Sequence, residues 1–423
     1  MSMQGPGIAF LTNEYPQSVG GGIGVYTRVM ARYLASQGWR VRVAGIYSQS
    51  ETQPEYELDE GVEVFRWRRP QLDKGSIRAR ALLYNHVAAW AQNGEIDLVE
   101  APDAEGWVAF WPKLPVPVVV RVHGSGSYFA REMNKPVPRL GFFLEDAGFR
   151  RADFWTSVSR YAGKRTREMF GTRPCDAVHY NPVNVAPQYP LSGRSRNKVV
   201  FTGTLTAKKG ILELAKAWKQ VVRERPDAEL HIIGKDLRQG AESMRARMLA
   251  GMPDEVAASI RFHGHLPLEQ VWASLQEARV AVFPSYAETF GLAPMESMAH
   301  GCPTIYSTRT CGPELMESER DALLVDPASP AEIARAILRV LSDDELAGRL
   351  SRQGWQHVQQ NFGVEAVAPN MERFYTRCMA NFARNSAQSS RLIAQARQIV
   401  SNLGSQLFFW EPLLTAFVIS GLG

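Results

Sequence analysis

The chain has 423 residues, 45% hydrophobic, 10% aromatic and 22% charged; this composition excludes collagen-like, disordered and small disulfide-scaffold classes. Its 48 Lys and Arg against 43 Asp and Glu leave a net charge of only +5. That excess is too dilute for nucleic acid, which calls for a basic stripe interleaved with aromatics.

At about 100–200 residues per domain the length predicts two domains or three. Met1–Thr12 has neither a basic n-region nor a long apolar h-region, so no signal peptide is expected. Cys175, Cys302, Cys311 and Cys378 fall in no zinc or redox spacing and read as reduced thiols of a cytoplasmic protein. No stretch reaches the ~18 apolar residues of a membrane span. The nearest, Leu407–Ile419, is interrupted by Glu411 and Pro412.

Strands are predicted at Gly7–Thr12, Arg40–Tyr47, Val62–Phe65, Leu98–Ala101, Val116–Val122 and Phe154–Val158, with helices at Gly24–Gln37 and Arg160–Phe170. Asn181–Lys198 is polar, carries prolines and reads as a linker. The alternation then restarts: Val199–Thr202, Glu229–Ile233, Ile260–His263, Val280–Phe283 and Thr304–Ser307 as strands, Gly210–Glu224 as a helix. Helical patterns follow at Ala331–Leu341, Asp343–Gln360 and Val364–Arg384. The pattern predicts an α/β protein of two doubly wound, parallel-sheet domains, whose ligands bind beyond the carboxyl ends of the strands.

Four motifs lie at such strand ends. Gly20-Gly21-Gly22-Ile23-Gly24 precedes the first helix; it can admit a phosphate to a helix start or simply make a tight turn. It matches neither GxGxxG nor the Walker pattern. Arg121-Val122-His123-Gly124 puts a histidine where it could meet a substrate hydroxyl, or bond only its own loop. Gly203-Thr204-Leu205-Thr206-Ala207-Lys208-Lys209-Gly210 sets two lysines ahead of a helix. Cations there cost stability unless an anion binds; a solvated basic turn is the alternative. In Glu288-Thr289-Phe290-Gly291-Leu292-Ala293-Pro294-Met295-Glu296, two carboxylates bracket a glycine loop that opens a helix. A carboxylate such as Glu296 accepts hydrogen bonds from vicinal hydroxyls.

The last motif resembles the E-x7-E signature of the retaining glycosyltransferases that include bacterial mannosyltransferases and sucrose synthase. Gly21-Gly22, His123-Gly124, Lys209-Gly210 and Phe262-His263-Gly264 follow in the matching order. The resemblance covers about residues 7–380 and implies the GT-B fold, two Rossmann-like domains facing a cleft. On it, residues 1–185 form the acceptor-binding domain and 199–363 the nucleotide-sugar domain. Residues 364–384 form a helix crossing back, and 385–423 an amphipathic and apolar tail. Glu296 would hold ribose hydroxyls, Glu288 the donor sugar and Lys209 the diphosphate. Gly22 would offer its N–H to the distal phosphate, beside Gly21, and His123 would touch the transferred sugar. Backbone of Phe290, Gly291 and Leu292 would line the sugar–phosphate site, and His263-Gly264-His265 the base. Thr204 stands where the family commonly has arginine, and Lys208 is the candidate replacement.

The resemblance implies a retaining hexosyltransferase, with a UDP-hexose or GDP-mannose as donor and a hydroxyl of a glycan, lipid-linked sugar or small molecule as acceptor. No D-x-D metal motif occurs, so the lysines and two helix starts are expected to stabilise the leaving diphosphate with no metal and no cofactor. Two other readings share the fold: a sugar-nucleotide epimerase, and a degenerate relative that binds without turnover.

The acceptor is expected on the N-terminal domain. Arg66-Trp67-Arg68-Arg69, with Lys74, Arg78 and Arg80, reads as a basic cluster with an exposed aromatic, and Arg160–Arg173 as a second. Either could dock a phosphorylated acceptor or an anionic lipid at the inner face of the membrane, or be a solvated face. Apolar residues at helical spacing from Leu392 to Leu407 pack back on the protein, meet a membrane surface, or form a homodimer.

Overall fold

The computed structural model describes residues 5–15, 21–49, 52–71, 73, 76–189, 193–239 and 242–404. Met1–Glu372 forms one compact unit and Arg373–Gly423 a second.

The first lobe runs β1 (Gly7–Leu11), α1 (Gly22–Ser36), β2 (Arg40–Tyr47), β3 (Tyr56–Asp59), β4 (Val62–Arg68), α2 (Ile77–Gln92) and β5 (Leu98–Pro102). It continues through β6 (Val118–Val122), α3 (Gly126–Glu132), α4 (Arg139–Arg151), β7 (Phe154–Ser157), α5 (Arg160–Phe170) and β8 (Ala177–Val178). Its eight strands are ordered β3-β4-β2-β1-β5-β6-β7-β8, and every described pairing is parallel except β3–β4. β1 and β6 are buried along their whole length, which is why they read as unbroken apolar runs rather than alternating ones.

The second lobe runs β9 (Lys198–Thr202), α6 (Ile211–Glu224), β10 (Glu229–Ile233), β11 (Arg238–Gln239), β12 (Glu242–Ser243), α7 (Met244–Leu249), α8 (Asp254–Ala258), β13 (Ile260–Gly264) and α9 (Leu268–Glu277). Then come β14 (Val280–Phe283), α10 (Leu292–Ala299), β15 (Thr304–Ser307), α11 (Gly312–Leu315), β16 (Leu323–Val325), α12 (Pro330–Ser342), α13 (Asp344–Phe362) and α14 (Val364–Gly404). Its main sheet has the order β13-β10-β9-β14-β15-β16 and is parallel throughout. Two Rossmann-like α/β lobes therefore stand in one chain. Their topological switch points lie between β1 and β5 and between β9 and β14, the places where open α/β sheets take ligands.

Several details depart from the sequence expectations. β3–β4 is an antiparallel hairpin, and α2, α3 and α4 occupy stretches with no expected helix. The Arg66–Arg69 cluster is not a basic surface with an exposed aromatic. Arg66 is completely buried and its guanidinium lies 2.7 Å from the Glu57 carboxylate, while Trp67 stacks on His86 at 4.2 Å between ring centres. In Arg160–Arg173, Arg165 pairs with Glu132 and Arg173 with Asp176, so much of that charge is neutralised. At the start of α14, Glu372 accepts hydrogen bonds from Trp39 Nε1 (2.9 Å) and the Tyr33 hydroxyl (3.2 Å) of the first lobe. No described helix is long and apolar enough to cross a membrane. Gly20, Lys74 and the apolar segment 405–423 lie outside the described residues.

Candidate functional site

The loops after β9 and β14 leave opposite sides of the second lobe's switch point. The β9 loop makes a 3-10 turn, Ala207–Lys209, before Gly210 opens α6, so both lysines precede the helix rather than occupy it. The β14 loop carries Glu288 and ends at Gly291, the N-cap of α10, with φ 75°. Glu288 lies below that helix start and Glu296 in its second turn.

These side chains meet. The Lys209 ammonium donates to Glu288 Oε1, which also accepts from Ser285 Oγ at 3.2 Å. Among the described residues Lys208 has no carboxylate partner; its Nζ sits 3.5 Å from the centre of the Phe129 ring on α3, a cation–π contact between the lobes. Burial lowers the Lys208 pKa to about 8, with Lys209 adding to the drop and Glu288 and Glu14 opposing it. The Glu296 carboxylate has no hydrogen bond or ion pair among the described residues. Burial alone raises its pKa to about 7. An unpaired carboxylate surrounded by protein favours its neutral form.

The first lobe faces this cluster with two loops. Gly21 donates its N–H to Glu14 Oε2 at 3.1 Å, and burial raises the Glu14 pKa against the pull of that bond. Gly22 starts α1 so close to the second lobe that a Cβ there would lie 3.3 Å from Leu292 Cδ1. After β6, the backbone N–H groups of His123 and Gly124 both donate to the buried Asp103 carboxylate, at 2.8 and 3.2 Å. The His123 ring packs on Tyr26 at 4.8 Å, and the Arg121 guanidinium covers the same tyrosine at 4.2 Å. Burial, then the Arg121 charge, holds the His123 pKa well below its usual value. Its imidazole is neutral at pH 7 and able to give or take one hydrogen bond.

Direct bonds join the two halves. Thr289 Oγ1 donates to the His123 carbonyl at 2.8 Å, Ser159 Oγ to the Thr289 carbonyl at 2.6 Å, and the Tyr128 hydroxyl to the Glu288 carbonyl at 3.3 Å. The structure thus gathers Gly21, Gly22, His123, Lys208, Lys209, Glu288, Gly291 and Leu292 into one region. Phe290 contributes backbone only, since its ring is buried near Tyr180 and Phe362. Thr204 starts the same β9 loop with no side-chain hydrogen bond among the described residues.

His263, Gly264 and His265 are exposed at the end of the edge strand β13. His263 stacks on His231, with Nε2 and Nδ1 3.0 Å apart, and among the described residues no hydrogen bond joins it to the lysine–glutamate cluster. Sequence reasoning missed Asp103, Thr289, Tyr128 and Ser159. Asp103 alone left a signal, an acid directly after a buried strand that neighbours the one His123 follows.

A family model described as "Glycosyl transferases group 1" matches residues 196–343, and one described as "Glycosyltransferase Family 4" matches residues 20–186, together more than half of the chain. The chain belongs to the family 4, group 1 glycosyltransferases. It is 24% identical over 400 residues to a glycogen synthase of Mycobacterium tuberculosis, covering 87% of this chain and 94% of that one. It is 27% identical over 403 residues to an MMP alpha-(1->4)-mannosyltransferase of Mycolicibacterium hassiacum, covering 86% and 96%. Among solved structures, sucrose-phosphate synthase from Thermosynechococcus elongatus superposes with a TM-score of 0.77 at 22% identity, covering 89% of this chain and 100% of that one. An Anabaena protein in complex with UDP and glucose superposes with a TM-score of 0.64 at 15% identity, covering 87% and 99%. Both likenesses are to the GT-B fold.

Proposed function

We propose that this glycosyltransferase moves a hexosyl unit from a nucleoside-diphosphate sugar, UDP-hexose or GDP-mannose, to a hydroxyl acceptor, with retention and without a metal. One observation carries the reading: two cationic side chains, a paired Glu288 and an unpaired Glu296 surround the start of α10, opposite a glycine-rich helix start and a neutral histidine.

On this reading the diphosphate lies between the β9 loop and the start of α1. Lys208 and Lys209 meet its charge, and backbone N–H groups at Gly22 and at Gly291–Leu292 complete the cradle. Lys209 has three donors, so it can keep Glu288 while it meets a phosphate oxygen. Glu296 takes the ribose hydroxyls. Glu288, held by Lys209 and Ser285, accepts from sugar hydroxyls rather than acting as a nucleophile. His123, fixed by Asp103, meets the sugar near its reacting carbon. The acceptor oxygen then bonds to the anomeric carbon as the carbon–oxygen bond to the diphosphate breaks. The acceptor proton passes to the departing phosphate oxygen on the same face, which preserves configuration.

The test is turnover of UDP-, GDP- and ADP-sugars followed by NMR, with acceptor screening, with and without EDTA, and with Glu296→Ala as control. Release of one diphosphate that survives EDTA, is lost in the variant, and yields an α-configured product from an α-configured donor supports the reading. Loss of turnover in EDTA removes the metal-free claim, and a β-configured product removes retention. No binding of any nucleotide sugar overturns the assignment.

A further inference from the structure

Lys208 and Lys209 are neighbours in the chain but are held in different ways. Lys209 donates to the Glu288 carboxylate of its own lobe. The Lys208 ammonium has no hydrogen bond or ion pair among the described residues, and the group it rests on is the Phe129 ring of the other lobe, 3.5 Å from Nζ to ring centre.

Both sides of this contact are fixed. The Lys208 carbonyl accepts from the Tyr286 N–H of the β14 loop at 2.7 Å. On α3 the Phe129 N–H donates to the Ser125 carbonyl at 3.1 Å, and its ring meets Tyr128 edge-on at 5.4 Å between ring centres. A Cβ on Gly124 would lie 2.8 Å from Phe129 Cε2 and Cζ, so the chain before α3 braces the ring as well.

The face of a phenyl ring is electronegative and draws an ammonium without neutralising it, more strongly where water is excluded. Lys208 needs such support, because burial disfavours its charge and Lys209 repels it, while Glu288 and Glu14 act the other way. A carboxylate in contact would cancel the charge that a diphosphate has to meet. The ring instead sustains the charge and leaves all three N–H donors of the ammonium to phosphate oxygens. Because the ring belongs to the first lobe, the support lasts only while α3 and the β9 loop are together.

We propose that Phe129 is a positioning residue for transfer, seating the Lys208 ammonium against the leaving diphosphate through the same lobe contact that brings His123 toward the donor sugar. The inference rests on the diphosphate role proposed for Lys208. Phe129→Leu keeps an apolar side chain there and removes the ring face. The kcat for diphosphate release from UDP-glucose or GDP-mannose should fall about tenfold, the scale of a desolvated cation–π contact, with UDP affinity kept within about threefold. Phe129→Tyr retains the ring face and should keep most of the wild-type kcat. In a Lys208→Met background, Phe129→Leu should cost less than about twofold, since the group it seats is gone.

An NMR titration of the lysine side chains, with Lys208 assigned by its loss in Lys208→Met, needs no turnover. Lys208 should lose its proton at lower pH in Phe129→Leu than in the wild type. Equal losses of kcat in the two backgrounds, a Tyr variant as slow as the Leu variant, or a Lys208 titration that Phe129→Leu leaves in place or raises, overturns the inference. If neither nucleotide sugar is bound, the glycosyltransferase reading fails separately, and the NMR titration still decides whether Phe129 sustains the Lys208 charge.

Discussion

Glu296 keeps its proton up to about pH 7 because burial disfavours the carboxylate, and Lys208 loses its proton at about pH 8 because burial disfavours the ammonium. On the proposed roles, donor binding needs the first ionised and the second protonated. kcat/KM should therefore follow a bell with limbs near those two values. Glu296→Gln should remove the acid limb and cost roughly 10–100-fold in donor affinity, the worth of a hydrogen bond to a charged acceptor; Lys208→Met should remove the alkaline limb. The same shift has a stability consequence. A carboxyl whose folded pKa is raised binds more protons folded than unfolded, so its penalty is absent below the unfolded value, grows as pH rises, and is complete above about 7. Glu296→Gln should stabilise the protein by ~1–2 kcal/mol at pH 8, after allowance for partial solvent screening. The gain should shrink toward pH 5 in a denaturant titration series. Asp103 acts through another residue: it fixes the two N–H groups that place His123. Asp103→Ala should cut kcat by about 100-fold, the scale of a small misplacement of a reacting group, and leave UDP affinity unchanged. Lys208, Lys209, Glu288 and Glu296 stood out in the sequence because they flank glycine turns that follow apolar runs, whereas Asp103 did not. Their pairing did not stand out either. Lys209 and Glu288 are 79 positions apart, and no local pattern says that one will neutralise the other.

At the scale of elements, the start of α5 illustrates how one lobe completes the other. Ser159 caps the helix by accepting from the Ala162 N–H at 3.0 Å while donating to Thr289. The Glu314 carboxylate, on α11 of the second lobe, accepts the next two N–H groups, Arg160 at 2.7 Å and Tyr161 at 2.8 Å. An acid at a helix N-terminus is favoured by the free donors and the dipole. Glu314→Ala should cost ~1–2 kcal/mol, within the usual range for losing a cap, read as a lower unfolding midpoint. It should lower transfer while UDP affinity is kept, because the loops that hold the nucleotide on the proposed roles are untouched. Helix α5 was legible to the residue, since its apolar positions keep a helical period between Ser159 and Gly171. Helix α4 was not: it leaves Leu140 and Phe143 60% and 56% exposed, which blurs the amphipathic contrast. β3 was hidden because Tyr56–Asp59 is a short, half-exposed edge strand, and its pairing with β4 is set by the hairpin rather than by an apolar run.

For the whole molecule, the decisive geometry is the seam where the β6 loop of one lobe meets the β14 loop of the other. Gly124 sits on it with φ 99°, and a Cβ at that position would lie 2.8 Å from both the Phe129 ring and Thr289 Cγ2. Those neighbours are themselves committed: Phe129 to Lys208, and Thr289 to the His123 carbonyl. An added methyl therefore cannot be absorbed by one flexible side chain, and the positive φ adds backbone strain that only glycine escapes. The cheapest relief is to part the two loops, which carries His123 away from Glu288 without altering either lobe's core. Gly124→Ala should thus leave UDP affinity within about threefold, since on the proposed roles every nucleotide contact except the Gly22 N–H stays together on the second lobe, yet reduce kcat by 100-fold or more. Thr289→Val, which removes one bond across the seam and adds no bulk, should cost only about tenfold, near the worth of a single hydrogen bond. Single-turnover kinetics alongside UDP titration measures both quantities. If Gly124→Ala instead lost UDP binding and kept its turnover per bound donor, the seam would be shaping the nucleotide pocket, not aligning the two lobes for transfer.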